Sequence, residues 1–395
     1  MKVPLLDFSR QDPALNDELR AAFERVFASG HFIMGPEVEG LERECASYLG
    51  GLGQIEAIGV SSGTDAILLA LMALGIGPGD EVICPAYTFF ATAGCVARTG
   101  ATPVFADVLP CCFNLDPAQV AARITPKTKA ILPVHLYGQA APMGALLDLA
   151  ARHRIPIIED AAQAIGAQFE GRAVGTLGLM GCFSFFPTKN LGALGDGGLL
   201  VTPDRALAKR LRALRNHGMH VKYHHEAVGG NFRLDALQAA FLRVKLPRLD
   251  AAHAARRRNA AHYDRLFLES GLAAKVEGPC QGEGKPLALP ASPILLPRAC
   301  GESHIYNQYV IRIRGKQGHR DAVRQHLAEN GVMTEIYYPI PLHLQECFAP
   351  LGYRPGSLPV SEALAQETLA LPIFPELRPE EIDFAVKTVL GFIKS

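Results

Sequence analysis

The sequence predicts an α/β protein: a large domain on a mostly parallel sheet, then a smaller C-terminal α+β domain. Three observations predict it. Short apolar runs alternate with segments of helical spacing from about residue 36 to residue 160. Three of those runs end in polar or glycine-rich loops, where ligands of such sheets bind. The chain has 395 residues, more than one ordinary core holds.

Glu37 to Leu49 can align Val38, Leu41, Cys45 and Leu49 on one helical face. Ile55 to Val60 reads as a strand that stops at Ser61-Ser62-Gly63-Thr64. Asp65 to Leu74 reads as an apolar helix, broken by Gly75 to Asp80, and Glu81 to Cys84 as the next strand. Thr102 to Phe105, Ala130 to Val134 and Ile155 to Ile158 read as strands ending at Asp107, His135 and Glu159-Asp160. Leu146 to His153 is a helix between the last two. Arg205 to Arg215 and Leu234 to Leu249 follow as helices, the second continuing to about Leu268. Its Arg256-Arg257-Arg258 run reads as solvated helix surface. Gly271 to Gly301, rich in Pro and Gly, reads as an irregular, exposed connection. Tyr309 to Ile313 alternates like a strand, while Asp321 to Asn330 and Glu380 to Phe392 read as helices. The expected division is a large domain over 1–250 and a small one over 251–395.

Composition narrows the function. Lys plus Arg equals Asp plus Glu at 39 each, so no overall field attracts nucleic acid or an anionic membrane. No apolar run approaches the length of a membrane span, and Met1 to Asp12 lacks the apolar core of a signal peptide. The nine cysteines are scattered apart from Cys111-Cys112 and form no C-x-x-C. They are expected as packing residues in a reducing cytoplasm.

Three segments could carry chemistry. Ser61-Ser62-Gly63-Thr64-Asp65 opens a helix, where backbone N–H groups and the helix dipole favour phosphate; alone it reads better as a simple cap. Asp160, with Gln163 about one turn on, follows an apolar strand. A carboxylate there needs a cationic partner, such as a protonated ring nitrogen, unless it only caps the next helix. Lys189 lies between Phe183-Ser184-Phe185-Phe186 and a loop with Gly192, Gly195, Gly197 and Gly198. Partial burial would lower its pKa and free a neutral amine for attack on a carbonyl. His217, His220, His224 and His225 cluster, but no carboxylate or cysteine pattern completes a metal site, and none is expected. Gly284-Lys285 lacks the rest of a P-loop.

Together these segments resemble the sugar-nucleotide aminotransferases of the DegT/DnrJ/EryC1/StrS family. The likeness runs through "HFIMGPEVEGLE" (31–42), "SSGTDAILLALMALGIGPGDEVICPAYTFFATA" (61–93) and "TPKTKAILPVHLYGQ" (125–139). It continues in "IIEDAAQAIGA" (157–167), "FSFFPTKNLGALGDGGLLVT" (183–202), "VGGNFRLDALQAAFLRVKL" (228–246), "IYNQYVIR" (305–312) and "YYPIPLHLQ" (337–345). The resemblance implies a fold-type I transferase dependent on pyridoxal 5'-phosphate (PLP), with a mostly parallel seven-stranded sheet. It implies that Lys189 carries the cofactor, Asp160 pairs with its ring nitrogen and Gln163 bonds its phenolic oxygen. Gly63, Thr64 and Ser184 would hold the phosphate and Phe89 would stack on the ring. Asn231 and Arg233 match a loop that reaches across a homodimer interface to a shared site, where Asn231 would contact the cofactor phosphate and Arg233 the substrate. Arg233, Tyr306, Gln308 and His343 are the candidate substrate contacts. The implied reaction moves an amino group, from glutamate by analogy, to a nucleotide-linked keto sugar. "VHLYGQ" with "NFRLDALQAA" resembles the 3-keto-sugar enzymes more than the 4-keto ones. Relatives that dehydrate carry histidine in place of the lysine, so Lys189 weighs against a dehydratase or lyase. A non-catalytic regulator is the other alternative; it would be expected to lose Lys189 or gain a DNA-binding appendage.

Overall fold

The computed structural model describes residues 1–51, 53–276, 289–299 and 303–394. Two helices lead, α1 (Pro13–Ser29) and α2 (Pro36–Gly50). The first falls before the alternation read from the sequence; the second buries Val38, Leu41, Cys45 and Leu49 as expected. Then come β1 (Glu56–Val60), α3 (Gly63–Ala73), β2 (Glu81–Pro85), α4 (Ala91–Arg98), β3 (Thr102–Ala106), α5 (Pro117–Ala121) and β4 (Thr128–Ile131). They are followed by α6 (Met143–His153), β5 (Ile158–Asp160), a small hairpin of β6 (Gln168–Phe169) and β7 (Arg172–Ala173), β8 (Met180–Ser184) and β9 (Gly198–Thr202).

Two ladders form the large sheet, in the orders β1-β9-β8-β5 and β3-β2-β4. Parallel bridges Ile131–Ile157 and Val134–Asp160 join β4 to β5 across the gap. Strand β9 runs antiparallel to both β1 and β8, whereas β5–β8, β2–β3 and β2–β4 are parallel. Neighbouring strand residues enter different cores. Phe183, Leu199 and Val201 pack in one cluster, while Cys182 and Leu200 pack in another. A sheet covered on both faces produces that division. Strands β8 and β9 carry long apolar runs without alternation, so their period is not legible in the sequence.

Beyond the sheet lie α7 (Arg205–Arg215), the short hairpin β10 (Met219–Val221) and β11 (His224–His225), α8 (Ala236–Lys245) and α9 (Leu249–Glu269). The expected continuous helix is interrupted over Leu246–Arg248, where Pro247 stands inside a single 3-10 turn. The remaining elements are β12 (Ala273–Ala274), β13 (Ile294–Leu295), β14 (Tyr309–Ile313), α10 (His319–Glu329), α11 (Pro359–Glu367), β15 (Thr368–Leu371) and α12 (Pro379–Lys394). The sheet β12-β13-β14-β15 and helices α9, α10 and α12 share a third core that includes Tyr263, Tyr309, Phe267 and Phe374. Val3 joins it through a parallel bridge to Val332.

Two expectations need correction. Within the stretch read as irregular and exposed, β12 pairs with β13, and Ile294 and Leu295 are fully buried. Gly284-Lys285 and the rest of 277–288, with 300 and 301, lie outside the described residues. Arg256 is buried rather than solvated: its Nη1 donates to the carbonyls of Tyr306 (3.1 Å) and Ile373 (2.8 Å). Only Arg257 and Arg258 face solvent.

The histidines at 217, 220, 224 and 225 are exposed, on and beside the β10–β11 hairpin. Among the described residues no cluster of His, Cys, Asp and Glu could hold a metal ion. No helix of the described residues is long and apolar enough to cross a membrane. No disulfide links the described cysteines, of which Cys347 alone is exposed.

Candidate active site

The carboxyl ends of β1, β2, β5 and β8 and the start of β9 meet at one edge of the sheet. Beyond that edge lies a cavity of about 570 Å³. Gly63, Thr64, Phe89, Asp160, Gln163, Ser184 and Lys189 all line it, and so does Gln308. Glu335, Tyr337 and Tyr338 close it from the C-terminal side.

The floor is the N-terminus of α3. Ser62 caps it, its hydroxyl accepting from the Asp65 N–H at 3.0 Å. The first N–H groups of the helix are thus directed to the cavity edge. Close packing requires glycine on both sides of this turn. A Cβ on Gly63 would stand 2.7 Å from Ser184 Cβ, and one on Gly198 only 2.4 Å from the Ser62 carbonyl carbon. The glycine-rich loop after Lys189 therefore lets β9 pass against the helix start.

Asp160 is buried at the end of β5. Its Oδ2 accepts from Thr92 Oγ1 at 2.8 Å and its Oδ1 from the Ala162 N–H at 3.2 Å. Burial raises its pKa above the ordinary carboxylate value; Thr92, Ala162 and the positive charge of Lys189 pull the other way. Lys189 follows the Phe186-Pro187-Thr188 turn, its N–H donating to the Phe186 carbonyl at 2.8 Å. Burial lowers its pKa to about 8 against the opposing charge of Asp160. Among the described residues neither side chain forms an ion pair. Gln163 is held by Tyr137 N–H, which donates to its Oε1 at 2.7 Å, and donates from Nε2 to Tyr338 Oη at 3.1 Å.

Four expected contacts are not brought to this cavity by the chain's own fold. Asn231 is exposed, and Arg233 donates from Nη1 to Asn216 Oδ1 at 2.6 Å. Tyr306 is closed into the interior, stacked on His304 with ring centroids 3.9 Å apart. His343 is buried beside Glu362, Nε2 to Oε1 3.0 Å. Conversely, Thr88, Tyr338 and Asp196 line the cavity, and Thr92 supports it, without having been singled out. A single threonine or tyrosine in an apolar stretch carries no periodic signal.

The residues present fit PLP: an N–H-rich helix start for phosphate, a buried unpaired carboxylate for a cationic ring, and an amine of lowered pKa for an aldehyde. Fold and cavity together define a PLP-dependent transferase of fold type I. The chain belongs to the DegT/DnrJ/EryC1/StrS aminotransferase family, whose pattern matches residues 13–390. It is 47% identical over 394 residues to a protein of Geobacillus stearothermophilus named "Pleiotropic regulatory protein", covering 100% of this chain and 99% of that one. It is 44% identical to the UDP-N-acetyl-3-dehydro-alpha-D-glucosamine 3-aminotransferase of Acidithiobacillus ferrooxidans, covering 96% and 95%. Among solved structures it resembles S. venezuelae DesV in complex with a ketimine intermediate, at 41% identity and a TM-score of 0.89, covering 100% and 99%. As a member of this family the chain is a PLP-dependent aminotransferase.

Proposed function

We propose that the chain transfers an amino group from an amino-acid donor, glutamate, to C3 of a nucleotide-linked keto sugar. The observation that carries the reading is that Lys189 and Asp160 line one cavity floored by the start of α3. The ring position is supported by the relative named as a 3-aminotransferase.

In this reading Gly63, Thr64 and Ser184 hold the phosphate, Phe89 covers the ring face and Gln163 meets the phenolic oxygen. When bound, PLP supplies an electron sink for negative charge at the substrate carbon. Asp160 keeps the ring nitrogen protonated by its negative charge. Lys189 would carry the cofactor, and its free amine would take the proton from the donor Cα as general base. Tyr337 and Tyr338 line the same cavity on its C-terminal side. A non-catalytic regulatory role, the sense of one relative's name, would leave the lowered pKa of Lys189 and the unpaired Asp160 without a use.

The working unit is proposed as a homodimer in which Asn231 and Arg233 complete the partner's site. Arg233 suits an anionic group, and its Nε is buried without a partner among the described residues. Phe32, Ile33, Phe186 and Leu194 are exposed apolar side chains of the kind a second copy covers. The ladders of four and three strands are read as one seven-stranded sheet, supported by the bridges between β4 and β5. The boundary near residue 250 is supported by a third core drawn almost wholly from beyond it. A cytoplasmic location is consistent with the absence of a disulfide among the described cysteines.

The test is an amination assay with glutamate across a panel of nucleotide-linked keto sugars. Amination of a 3-keto sugar is the expected result. Turnover of free keto acids only, with none of the nucleotide sugars aminated, overturns the reading.

A further inference from the structure

Thr92 is the second residue of α4, fully buried, and it is not part of the cavity wall. Its hydroxyl donates to Asp160 Oδ2 at 2.8 Å. A hydroxyl has one proton, so its oxygen can only accept in any further hydrogen bond. Thr88 Oγ1 lies 3.2 Å from Thr92 Oγ1, and Thr88 is buried at the cavity wall. The direction of that second bond follows: Thr88 donates to Thr92, and Thr92 to Asp160. The two hydroxyls form a polarised chain ending on the carboxylate, each bond strengthening the next.

We propose that Thr92, oriented by Thr88, is a positioning residue that aims the Asp160 carboxylate and keeps it charged for the cofactor's ring nitrogen. The inference rests on the reading that Asp160 meets that nitrogen. The carboxylate has two oxygens and few donors. Thr92 occupies Oδ2 from the α4 side and the Ala162 N–H occupies Oδ1 from its own strand end, which fixes the carboxylate plane. The titratable group facing it whose charge favours its own is Lys189; His135, whose Nδ1 accepts from the Ala141 N–H, is a neutral ring there. Burial pushes Cys95, Cys182 and Tyr338 toward their protonated forms, and the Asp160 charge adds to it. Glu159, next in sequence, is engaged elsewhere, by His135 and the backbone of 175–178. Thr92 is therefore the one side-chain hydrogen-bond donor to Asp160 among the described residues.

The test measures equilibrium binding of two probes to the full-length protein freed of cofactor. One probe is PLP; the other is its 1-deaza analogue, whose ring carries C–H in place of the nitrogen. Thr92→Val keeps the shape and removes the hydroxyl. It should weaken PLP about tenfold, as for loss of a hydrogen bond to a charged group, and leave the analogue unchanged. Thr92→Ser should restore PLP binding, and Thr88→Val should shift it a fewfold in the same direction as Thr92→Val. Equal weakening of both probes by Thr92→Val would reduce Thr92 to a packing residue and overturn the proposal. So would wild-type affinity for PLP in that variant. If Thr92→Val does not fold, Thr88→Val decides: a reduced preference for PLP supports the chain, an unchanged one overturns it. The underlying reading fails separately, if the wild-type protein itself binds both probes alike.

Discussion

His135 Nε2 stands 2.8 Å from Glu159 Oε2, and both side chains are fully buried. The Ala141 N–H donates to His135 Nδ1 at 3.0 Å, so the ring proton is on Nε2 and points to Glu159. Glu159 also accepts from the N–H groups of Gly175 (2.6 Å), Leu177 (2.7 Å) and Gly178 (2.6 Å). This one carboxylate ties the end of β5 to the segment that follows β4 and to the loop before β8, and so fixes the backbone of Asp160. Glu159→Gln replaces an acceptor by an amide whose NH₂ must face donors. The expected loss is about 3 kcal/mol of stability, read by denaturant unfolding. An unchanged midpoint would show that the pair does not hold this edge.

Lys189 is held with its pKa at about 8, below the ordinary lysine value of 10.5. In the cofactor-free protein the unfolded state therefore binds more protons between those values, and stability should rise with pH from about 8 to 10.5. Lys189→Met should abolish that rise and make the cofactor-free protein more stable at pH 7, by up to about 3 kcal/mol. The same variant should lose turnover and leave no cofactor trapped by borohydride. Full turnover, or an unchanged pH slope, contradicts the assignment.

Arg10 grips Glu381 at both oxygens, 2.7 and 2.8 Å, which pins the N-terminal segment to α12. Burial pushes the Glu381 carboxyl up, but Arg10 and Arg378 more than offset it and hold it at about 2. A depressed carboxylate contributes stability above its unfolded value near 4.5, lost as pH falls through about 2. Glu381→Gln should cost about 2 kcal/mol at neutral pH and flatten the loss of stability between pH 4.5 and 2. Thermal unfolding across that range is the measurement, and an unaltered acid limb is the contrary result.

Arg233 and Lys189 belong to one site only if two chains share it. Inactive Lys189→Ala and inactive Arg233→Ala proteins should regain activity on subunit exchange. Each mixed dimer then carries both lesions in one site and leaves the other whole, giving about half the wild-type rate per mixed dimer. A mixture that stays dead means each chain builds its own site.

The sequence by itself determined the alternation that makes an α/β fold, the buried face of α2 and the capped start of α3. It also marked Lys189, because a lysine between phenylalanines and glycines is legible without neighbours. Such features are local: period, cap and composition depend on residues within a turn or two. Other features needed the tertiary structure. Ile155 to Ile158 looked like the strand before Asp160, yet β5 includes Asp160 itself, because its N–H donates to the Pro133 carbonyl of the neighbouring chain segment. Arg256 looked solvated because its acceptors, the carbonyls of Tyr306 and Ile373, lie 50 and 117 residues away. His343 looked available until Glu362 and the packing around it enclosed the ring. A polar side chain is buried only where distant backbone or side chains supply its partners, and those partners are set by how the elements pack.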